Sequence, residues 1–302
     1  MTATTSQAPA ASATPPRLLA LRRFAREFAA SRAAMAGLGI LVALTILALA
    51  APLFIHASDL DVVNAPGQPL SPPSARFPLG TDYAGRSIIP LLIWGTRPSL
   101  AIAVVSTALT IILGSVIGLL SGHYGGITSR VLMALTDWFI ALPVLPLAIA
   151  LAAVLGQGDT SITVAIAVTS WPGTARLIRA QTLAVEARPF IERAKALGAR
   201  DGQLVVRHVL PNVAPFVLVS ATLTVSGAII TEVTLAFLGL GNPIDVSWGA
   251  MINQAFFQGA VSAGAWWYIL PPGIAIVIVA LAFTMMGRAV ENILNPRMAR
   301  RP

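Results

Sequence analysis

The sequence predicts an all-α membrane protein with six transmembrane helices, and three observations support that fold class. First, 56% of the 302 residues are hydrophobic and only 11% are charged, whereas soluble domains carry about 25% charged residues. Second, the apolar residues form six runs, most of them long enough to cross about 30 Å of hydrocarbon at 1.5 Å per residue. Third, the basic residues are concentrated in alternate segments between these runs, as membrane topology requires.

The first span is interpreted as an uncleaved anchor, because the polar region before it is too long for the n-region of a signal peptide. A cleaved signal peptide is the alternative, since Ala48-Leu49-Ala50 resembles a cleavage site. Residues 1–34 are predicted to be a cytoplasmic tail with a basic amphipathic helix, and residues 288–302 a second cytoplasmic tail. The six predicted spans are residues 35–55, 99–121, 131–155, 161–178, 213–236 and 267–287.

A proline-rich polar excursion covers residues 56–98 between the first two spans. Near its end, Thr81 or Asp82 is expected to cap a short helix whose apolar face includes Ile88 and Leu92. Pro90 falls inside that pattern, so we expect a kink or an early end to the helix.

The orientation follows from the basic residues in the short loops. Of the 20 basic residues, 17 fall on the side that holds both termini, and Arg76, Arg86 and Arg97 fall on the other. Both termini are therefore predicted to be cytoplasmic, in a bacterial inner membrane. The net charge of +8 is then explained by topology, and no nucleic-acid partner is needed.

The segment at residues 179–211 is basic and helix-forming, although it lies between two apolar spans. One helical face is predicted to carry Phe190, Ile191, Ala194, Leu197 and Gly198. Gly198 and Gly202 are expected to end or bend this helix, and Pro211 to start the next one. Two hypotheses remain open from the residues alone: a basic loop lying on the bilayer, or a helix docked in a groove of a soluble partner.

The composition excludes several kinds of site. The chain has no cysteine, so thiolate metal sites and disulfides are absent. Its single lysine, Lys195, follows Ala194, so the Gly-Lys-Ser/Thr of a phosphate-binding loop is missing and the chain has no ATPase motif. The three histidines lack metal-ligand spacing, and no Gly-x-Ser-x-Gly motif is present. We expect no catalytic residue, metal or cofactor in this chain.

Two acidic residues lie within predicted spans, where a charge is costly. Asp137 is placed about two turns inside the third span and is expected to bond to Arg130 or to a backbone group. Glu232 lies near the outer end of the fifth span and is interpreted as structural. Their roles stay open, since neither shares a face with a second acid or a histidine as a proton relay would need.

The segment 179–211 resembles the cytoplasmic motif of ABC-importer permeases, E-A-A-x3-G-x9-I-x-L-P. It stands here as Glu192-Arg193-Ala194, Gly198 and His208-Val209-Leu210-Pro211, with Arg193 and His208 as departures. FPLGTDYAGRSII, SWPGTARLIRAQTL, ITEVTLAFLGLGNPIDVSWG and the final NPR resemble the dipeptide, oligopeptide and nickel branch, over residues 35–297 in all. Ser87, Pro90 and Arg288 depart from that branch.

The resemblance implies a type I ABC-importer permease fold. The chain would pair with a second homologous permease, two ATPase subunits that bind ATP and Mg, and an extracytoplasmic solute-binding protein. Residues 190–202 would form a coupling helix in an ATPase cleft. The solute would be a di- or oligopeptide, with nickel chelates and glutathione as further members of the branch.

The resemblance also assigns residues. Coupling to the ATPase would involve the following positions: Phe190, Glu192, Arg193, Ala194, Leu197, Gly198, Ala199 and Asp201. Structural positions of the family pattern would be Gly80, Thr81, Asp82, Gly85, Arg86, Leu210 and Pro211. The alternative hypothesis is a gradient-driven secondary transporter or channel that acts without an ATPase and uses its intramembrane acids.

Overall fold

The computed structural model describes residues 24–294, and every regular element in that range is helical apart from one isolated bridge between Thr81 and Ser87. Most of the predicted N-terminal amphipathic helix and the end of the C-terminal tail lie outside the described residues. The long helices are α1 (Arg32–Phe54), α3 (Ile88–His123), α4 (Gly126–Ala141), α5 (Val144–Leu155), α6 (Asp159–Glu186), α9 (Leu210–Phe237) and α11 (Trp266–Leu294). The short ones are α2 (Ala57–Leu60), α7 (Pro189–Ala196), α8 (Asp201–Leu204) and α10 (Trp248–Phe257), with a π-helical turn at Val205–Val209.

Within residues 24–294, four helices are long and apolar enough to cross a membrane, or up to five if the bent pair α4 and α5 counts as one span. These helices contain the first, second, fifth and sixth predicted spans. The predicted count of six is therefore not confirmed. The predicted and observed numbers of spans differ because of the third predicted span, which corresponds to α4 and α5, and the fourth, which lies in α6.

The third predicted span is not one straight helix. It is split into α4 and α5, which meet at an angle of 93°. The break lies at Leu142, which is extended (φ −84°, ψ 136°), and Pro143, which precedes α5. A residue before proline is pushed out of the helical region by the proline ring, and proline supplies no N–H to continue the ladder.

The fourth predicted span lies inside α6, which is not apolar enough to qualify by hydropathy. Eleven of its residues, including Thr169, Thr174 and Thr182, are nevertheless buried. α6 makes its most extensive contacts with α3 and also packs on α4, α5 and α9. Since its polar groups face other helices, a low mean hydropathy does not prevent it from standing inside the bundle.

The polar excursion ends earlier than predicted. α3 begins at Ile88 and runs unbroken for 36 residues, with Ser87 and not Thr81 or Asp82 at its N-terminus. The expected kink at Pro90 is wrong, because Pro90 lies in the first turn, where a backbone N–H has no partner inside the helix. Pro98 also lies within this helix.

Three glycines of α3, spaced four residues apart, set its close approach to α6. A Cβ at Gly114 would lie 2.7 Å from Cβ of Thr174, and one at Gly118 would lie 2.7 Å from the carbonyl oxygen of Ala175. A Cβ at Gly122 would lie 2.6 Å from Cβ of Thr182. Small residues at this spacing let helix backbones approach closely in membranes, and they fix α6 along the length of α3.

Candidate functional site

The predicted basic segment forms a compact corner at one end of the bundle, here called the basic end. It consists of the end of α6, then α7, α8 and the π-helical turn before α9. Arg188 precedes α7 in an extended conformation and Pro189 is its first residue, a position that tolerates proline because its N–H would be unpaired. A π-helical turn joins α8 to α9, and Pro211 lies in the first turn of α9, as expected.

Ile191 anchors α7 to the bundle. Its side chain is fully buried in a cluster with Ile178 of α6 and with Val209 and Val213. Complete burial of an isoleucine contributes roughly 1.5–3 kcal/mol. The short helix is thus attached through one apolar contact, and a displacement of α7 would press on α6 and on the start of α9.

Gly198 ends α7 in a left-handed conformation, with φ +83°. The Gly198 N–H donates to the Lys195 carbonyl at 2.9 Å, and the Ala199 N–H donates to the Ala194 carbonyl at 3.1 Å. This pair of bonds is a Schellman motif, which satisfies the last carbonyls of a helix and favours glycine at the left-handed position. Gly202, expected to break the helix, lies inside α8.

A polar network joins α7 and α8 to the ends of α3 and α6. The Glu186 carboxylate lies 2.6 Å from Nδ1 of His123 and accepts a hydrogen bond from Lys195 at 2.8 Å. Nε2 of His123 lies 3.7 Å from Oδ1 of Asp201. Partial burial acts to raise the pKa of Glu186, but the bonds with Lys195 and His123 outweigh it and hold that pKa below its usual value. The network therefore favours an ionised Glu186 that binds α7 to the spans.

Sequence reasoning missed His123 and Glu186. They are 63 residues apart in the chain, and no spacing rule connects the end of α3 with the end of α6. The sequence shows His123 only as one of three histidines without metal-ligand spacing, yet its side chain is just 4% exposed. Only the close packing of α3 on α6 brings the two residues together.

The outward surface of the corner is exposed and carries both apolar and charged side chains. Leu197 is 88% exposed and Phe190 is 41% exposed, and the side chains of Glu192 and Arg193 also face outward. Ala194 and Ala199 are half-buried beneath them, while Asp201 is exposed. Leu210 and Pro211 follow at the exposed start of α9. An exposed apolar tip rimmed by charges is suited to docking rather than to chemistry.

At the opposite end, Asp82 and Arg86 form a buried ion pair. Oδ2 of Asp82 accepts from Nε and from Nη2 of Arg86, both at 2.7 Å. Oδ1 of Asp82 accepts from the backbone N–H groups of Ala84 and Arg86, and Nη1 of Arg86 donates to the Leu60 carbonyl. Both charges are thus paired and hydrogen-bonded, which a buried ion pair requires.

Two glycines of the same segment are required by close contacts. A Cβ at Gly80 would lie 2.5 Å from the ring of Trp267, and one at Gly85 would lie 2.2 Å from the carbonyl oxygen of Gly67. Both have positive φ, +74° and +93°. Thr81 donates to the carbonyl of Gln68 at 2.7 Å. Gly80, Gly85 and Thr81 hold the segment at residues 67–87 against the start of α3.

The two acidic residues that were predicted to lie inside spans have different partners and different burial. Asp137 of α4 pairs with Arg176 of α6 at 2.7 Å; the expected bond to Arg130 is wrong, because that side chain donates weakly to the Gly126 carbonyl at 3.4 Å. Glu232 is fully buried and accepts from Oγ of Ser99 at 3.4 Å. Within residues 24–294, no group of three His, Asp or Glu side chains is placed to hold a metal ion.

Comparison with known proteins identifies the family. Residues 114–300 match the model of the binding-protein-dependent transport system inner membrane component, and residues 20–73 match the N-terminal transmembrane domain of oligopeptide transport permease C. The chain is 34% identical to a glutathione transport system permease protein of Pectobacterium atrosepticum, over 92% of this chain and 90% of the relative. It is 34% identical to an oligopeptide transport system permease protein of Bacillus subtilis, over 90% of this chain and 88% of the relative.

The fold is similar to that of a chain in an inward-facing MetNI methionine ABC transporter. The TM-score is 0.54 at 21% identity, and the match covers 67% of this chain and 96% of that one. The expected importer-permease fold is confirmed, and the comparisons support a permease over a gradient-driven carrier or channel. The family model spans more than half of the chain, which therefore belongs to the family of binding-protein-dependent transport system inner membrane components: it is a membrane permease subunit of an ABC importer.

Proposed function

We propose that this permease is driven by separate ATPase subunits through α7 and the turn that follows it. The observation that carries this proposal is the corner at the basic end. There an exposed tip at Phe190 and Leu197 is joined to α3 and α6 by the His123–Glu186–Lys195 network and by Ile191. A short helix held in this way transmits a push to the spans, because packed elements move as rigid bodies.

ATP and Mg are bound by the ATPase partners and not by this chain. Lys195 is the chain's only lysine, and its ammonium group pairs with Glu186, so it is unavailable to bind phosphate. We infer that two ATPase subunits, a second homologous permease and an extracytoplasmic solute-binding protein complete the importer. In this assembly the basic end and both termini face the cytoplasm, as the charge asymmetry of the loops predicts.

The solute is proposed to be a small peptide. The relatives are named as permeases for glutathione, for dipeptides and for oligopeptides, all of which are peptides or peptide derivatives. The segment at residues 67–87 lies at the end of the bundle opposite the coupling corner. It is proposed to support the face that receives the solute-binding protein.

The coupling proposal is tested by crosslinking. The chain has no native cysteine, so Ala196→Cys, at an exposed position of α7, provides a single thiol for crosslinking to the co-expressed ATPase. We expect a crosslink that Leu197→Asp weakens, because this change adds a charge to the docking tip without disturbing any buried contact. Gly198→Arg should abolish ATP-dependent uptake, since a side chain at φ +83° distorts the turn.

The matched control is Ile244→Asp. Ile244 is 88% exposed, as Leu197 is, but it lies outside the corner, in the segment before α10. This change should leave the Ala196→Cys crosslink intact. Normal uptake by Gly198→Arg, together with no crosslink from Ala196→Cys, would exclude α7 as the coupling element.

A further inference from the structure

Asp137 and Arg176 form an ion pair that is exposed at mid-depth in the bundle. Their side chains are 59% and 52% exposed. Asp137 lies 11 residues from the start of α4 and Arg176 lies 10 residues from the end of α6, so each is about 15 Å from the basic end at 1.5 Å per residue. Charges within a bilayer face a water-filled cavity or a partner, because hydrocarbon penalises each of them by about 3 kcal/mol.

A cavity with mixed polar and apolar walls lies on the other side of the same stretch of α6. Its volume is about 510 Å³, and it lies between α6, α9 and α11. Thr174 and Ser220 hydrogen-bond to each other in its wall at 3.0 Å, and Ser170, Gln181, Thr224 and Glu291 add further polar groups. Uncharged hydroxyl and amide groups can exchange hydrogen bonds with a passing polar solute, whereas lipid chains offer them no partner.

The ion pair and the cavity flank one exposed strip of α6. At 100° per residue, Gly173, Leu177 and Ala180 fall between Arg176 on one side and Thr174 on the other. All three are exposed. α6 is also the long helix that fails the hydropathy test for a span, whereas α1, α3, α9 and α11 pass it. The strip itself consists of small or apolar residues, and the charges of the ion pair and the polar groups of the cavity border it on its two sides.

The ion pair retains free bonding capacity. A guanidinium has five N–H donors. Within residues 24–294, Arg176 donates one hydrogen bond, from Nη2 to Oδ1 of Asp137. The remaining donors can hold a carboxylate in a planar, two-bond arrangement. Oδ2 of Asp137 can accept from an ammonium group at the same time. One solute with both charges can thus bind without separating the pair.

We propose that the strip of α6 between the Asp137–Arg176 pair and the Thr174–Ser220 cavity forms this chain's wall of the solute passage, and that the pair binds zwitterionic solutes such as peptides with free termini. This proposal rests on the proposed function as an importer permease. In the empty passage the two charges neutralise each other, so neither a lone cation nor a lone anion is held strongly. A zwitterion engages both.

Water access along the strip can be measured with one cysteine. Gly173→Cys adds a side chain where a Cβ meets nothing within 4 Å. In the assembled importer, reconstituted in nanodiscs with cysteine-free partner subunits, we expect this thiol to react with both an anionic and a cationic methanethiosulfonate reagent. The control is Gly39→Cys on α1, where a Cβ also meets nothing within 4 Å; it should not react, because we expect the exposed face of this apolar helix to lie against hydrocarbon.

The charge pair gives a second readout. Asp137→Asn should raise the ratio of anionic to cationic labelling rates at Gly173→Cys, and Arg176→Gln should lower it. The expected change is roughly fivefold, as Coulomb's law gives for one unit charge about 8 Å away in water acting on reagents of opposite sign. The proposed solute passage is wrong if Gly173→Cys does not react, if Gly39→Cys reacts equally, or if neither neutral variant changes the labelling ratio.

The zwitterion site is tested by protection. Millimolar trialanine with free termini should slow the labelling of Gly173→Cys, and Asp137→Asn and Arg176→Gln should each remove that protection. Trialanine with acetyl and amide blocks should not protect; equal protection by the two peptides, or none by either, would overturn the site. The Ala196→Cys crosslink keeps the two proposals distinct: if it forms while Gly173→Cys fails these tests, only the passage is wrong.

Discussion

Gly118 is the central residue of the contact between α3 and α6, and its replacement by alanine tests how that contact is built. The added Cβ would lie 2.7 Å from the Ala175 carbonyl oxygen, 2.8 Å from Cβ of Ile178 and 3.0 Å from the Arg179 nitrogen. Two of these atoms are backbone and the third is attached directly to it, so the helices must separate. Overpacking of this kind costs about 1–3 kcal/mol, and alanine returns about 1 kcal/mol through its higher helix propensity. The net loss of stability is up to about 2 kcal/mol.

The matched control is Gly227→Ala on α9, where the added Cβ meets nothing within 4 Å. Only the propensity gain remains there, so this variant should be as stable as the parent or more stable by up to about 1 kcal/mol. Unfolding in mixed micelles by titration with sodium dodecyl sulfate measures both variants against the parent. If Gly118→Ala proves as stable as Gly227→Ala, the close contact of α3 with α6 does not exist as described.

Two further predictions follow from the polar pairs. Asp82→Ala should destabilise the chain by about 3–5 kcal/mol, because it leaves Arg86 buried without its partner. Asp59→Ala removes an exposed pair with His56 and should cost under about 1 kcal/mol; the same unfolding titration compares the two variants. Glu186 has a lowered pKa in the folded state, so its stabilising contribution is complete above its ordinary pKa and is lost as the pH falls through the lower folded value. Lys195→Met removes one of the bonds that lower this pKa, so the loss on acidification should be smaller and should be complete at a higher pH; unfolding between about pH 3 and 6 would show no such difference if the network were absent.

The helical breaks show where sequence patterns were sufficient and where they were not. Pro143 ends α4, whereas Pro90 lies within the first turn of α3 and leaves it intact. Both residues stand in apolar runs. What differs is the distance from the start of a helix, which depends on Ser87 being extended and on residues 67–87 folding back through Asp82 and Arg86. A local pattern does not contain that information.

The candidate site also has features that the sequence predicts and features that it does not. Gly198 and the end of α7 were predictable, because a helix end with glycine is a local feature set by backbone sterics. The partners of the site were not. Asp137 was expected to bond to Arg130, seven residues away in the chain, or to a backbone group, but it pairs with Arg176, 39 residues away. The bend between α4 and α5 and the packing of α4 on α6 decide which charge it meets.

The sequence by itself determined the membrane character of this protein, its helical class, the position of the basic segment and the family to which it belongs. Each of these follows from composition, charge distribution or motif spacing, which the chain carries before it folds. Only the tertiary structure decided that His123 and Glu186 hold α7, that three glycines set α6 against α3, and that an exposed ion pair borders a strip of α6. The physical reason is that these contacts join helices far apart in the chain. Their geometry depends on which helix faces pack together, and no local residue pattern specifies that choice.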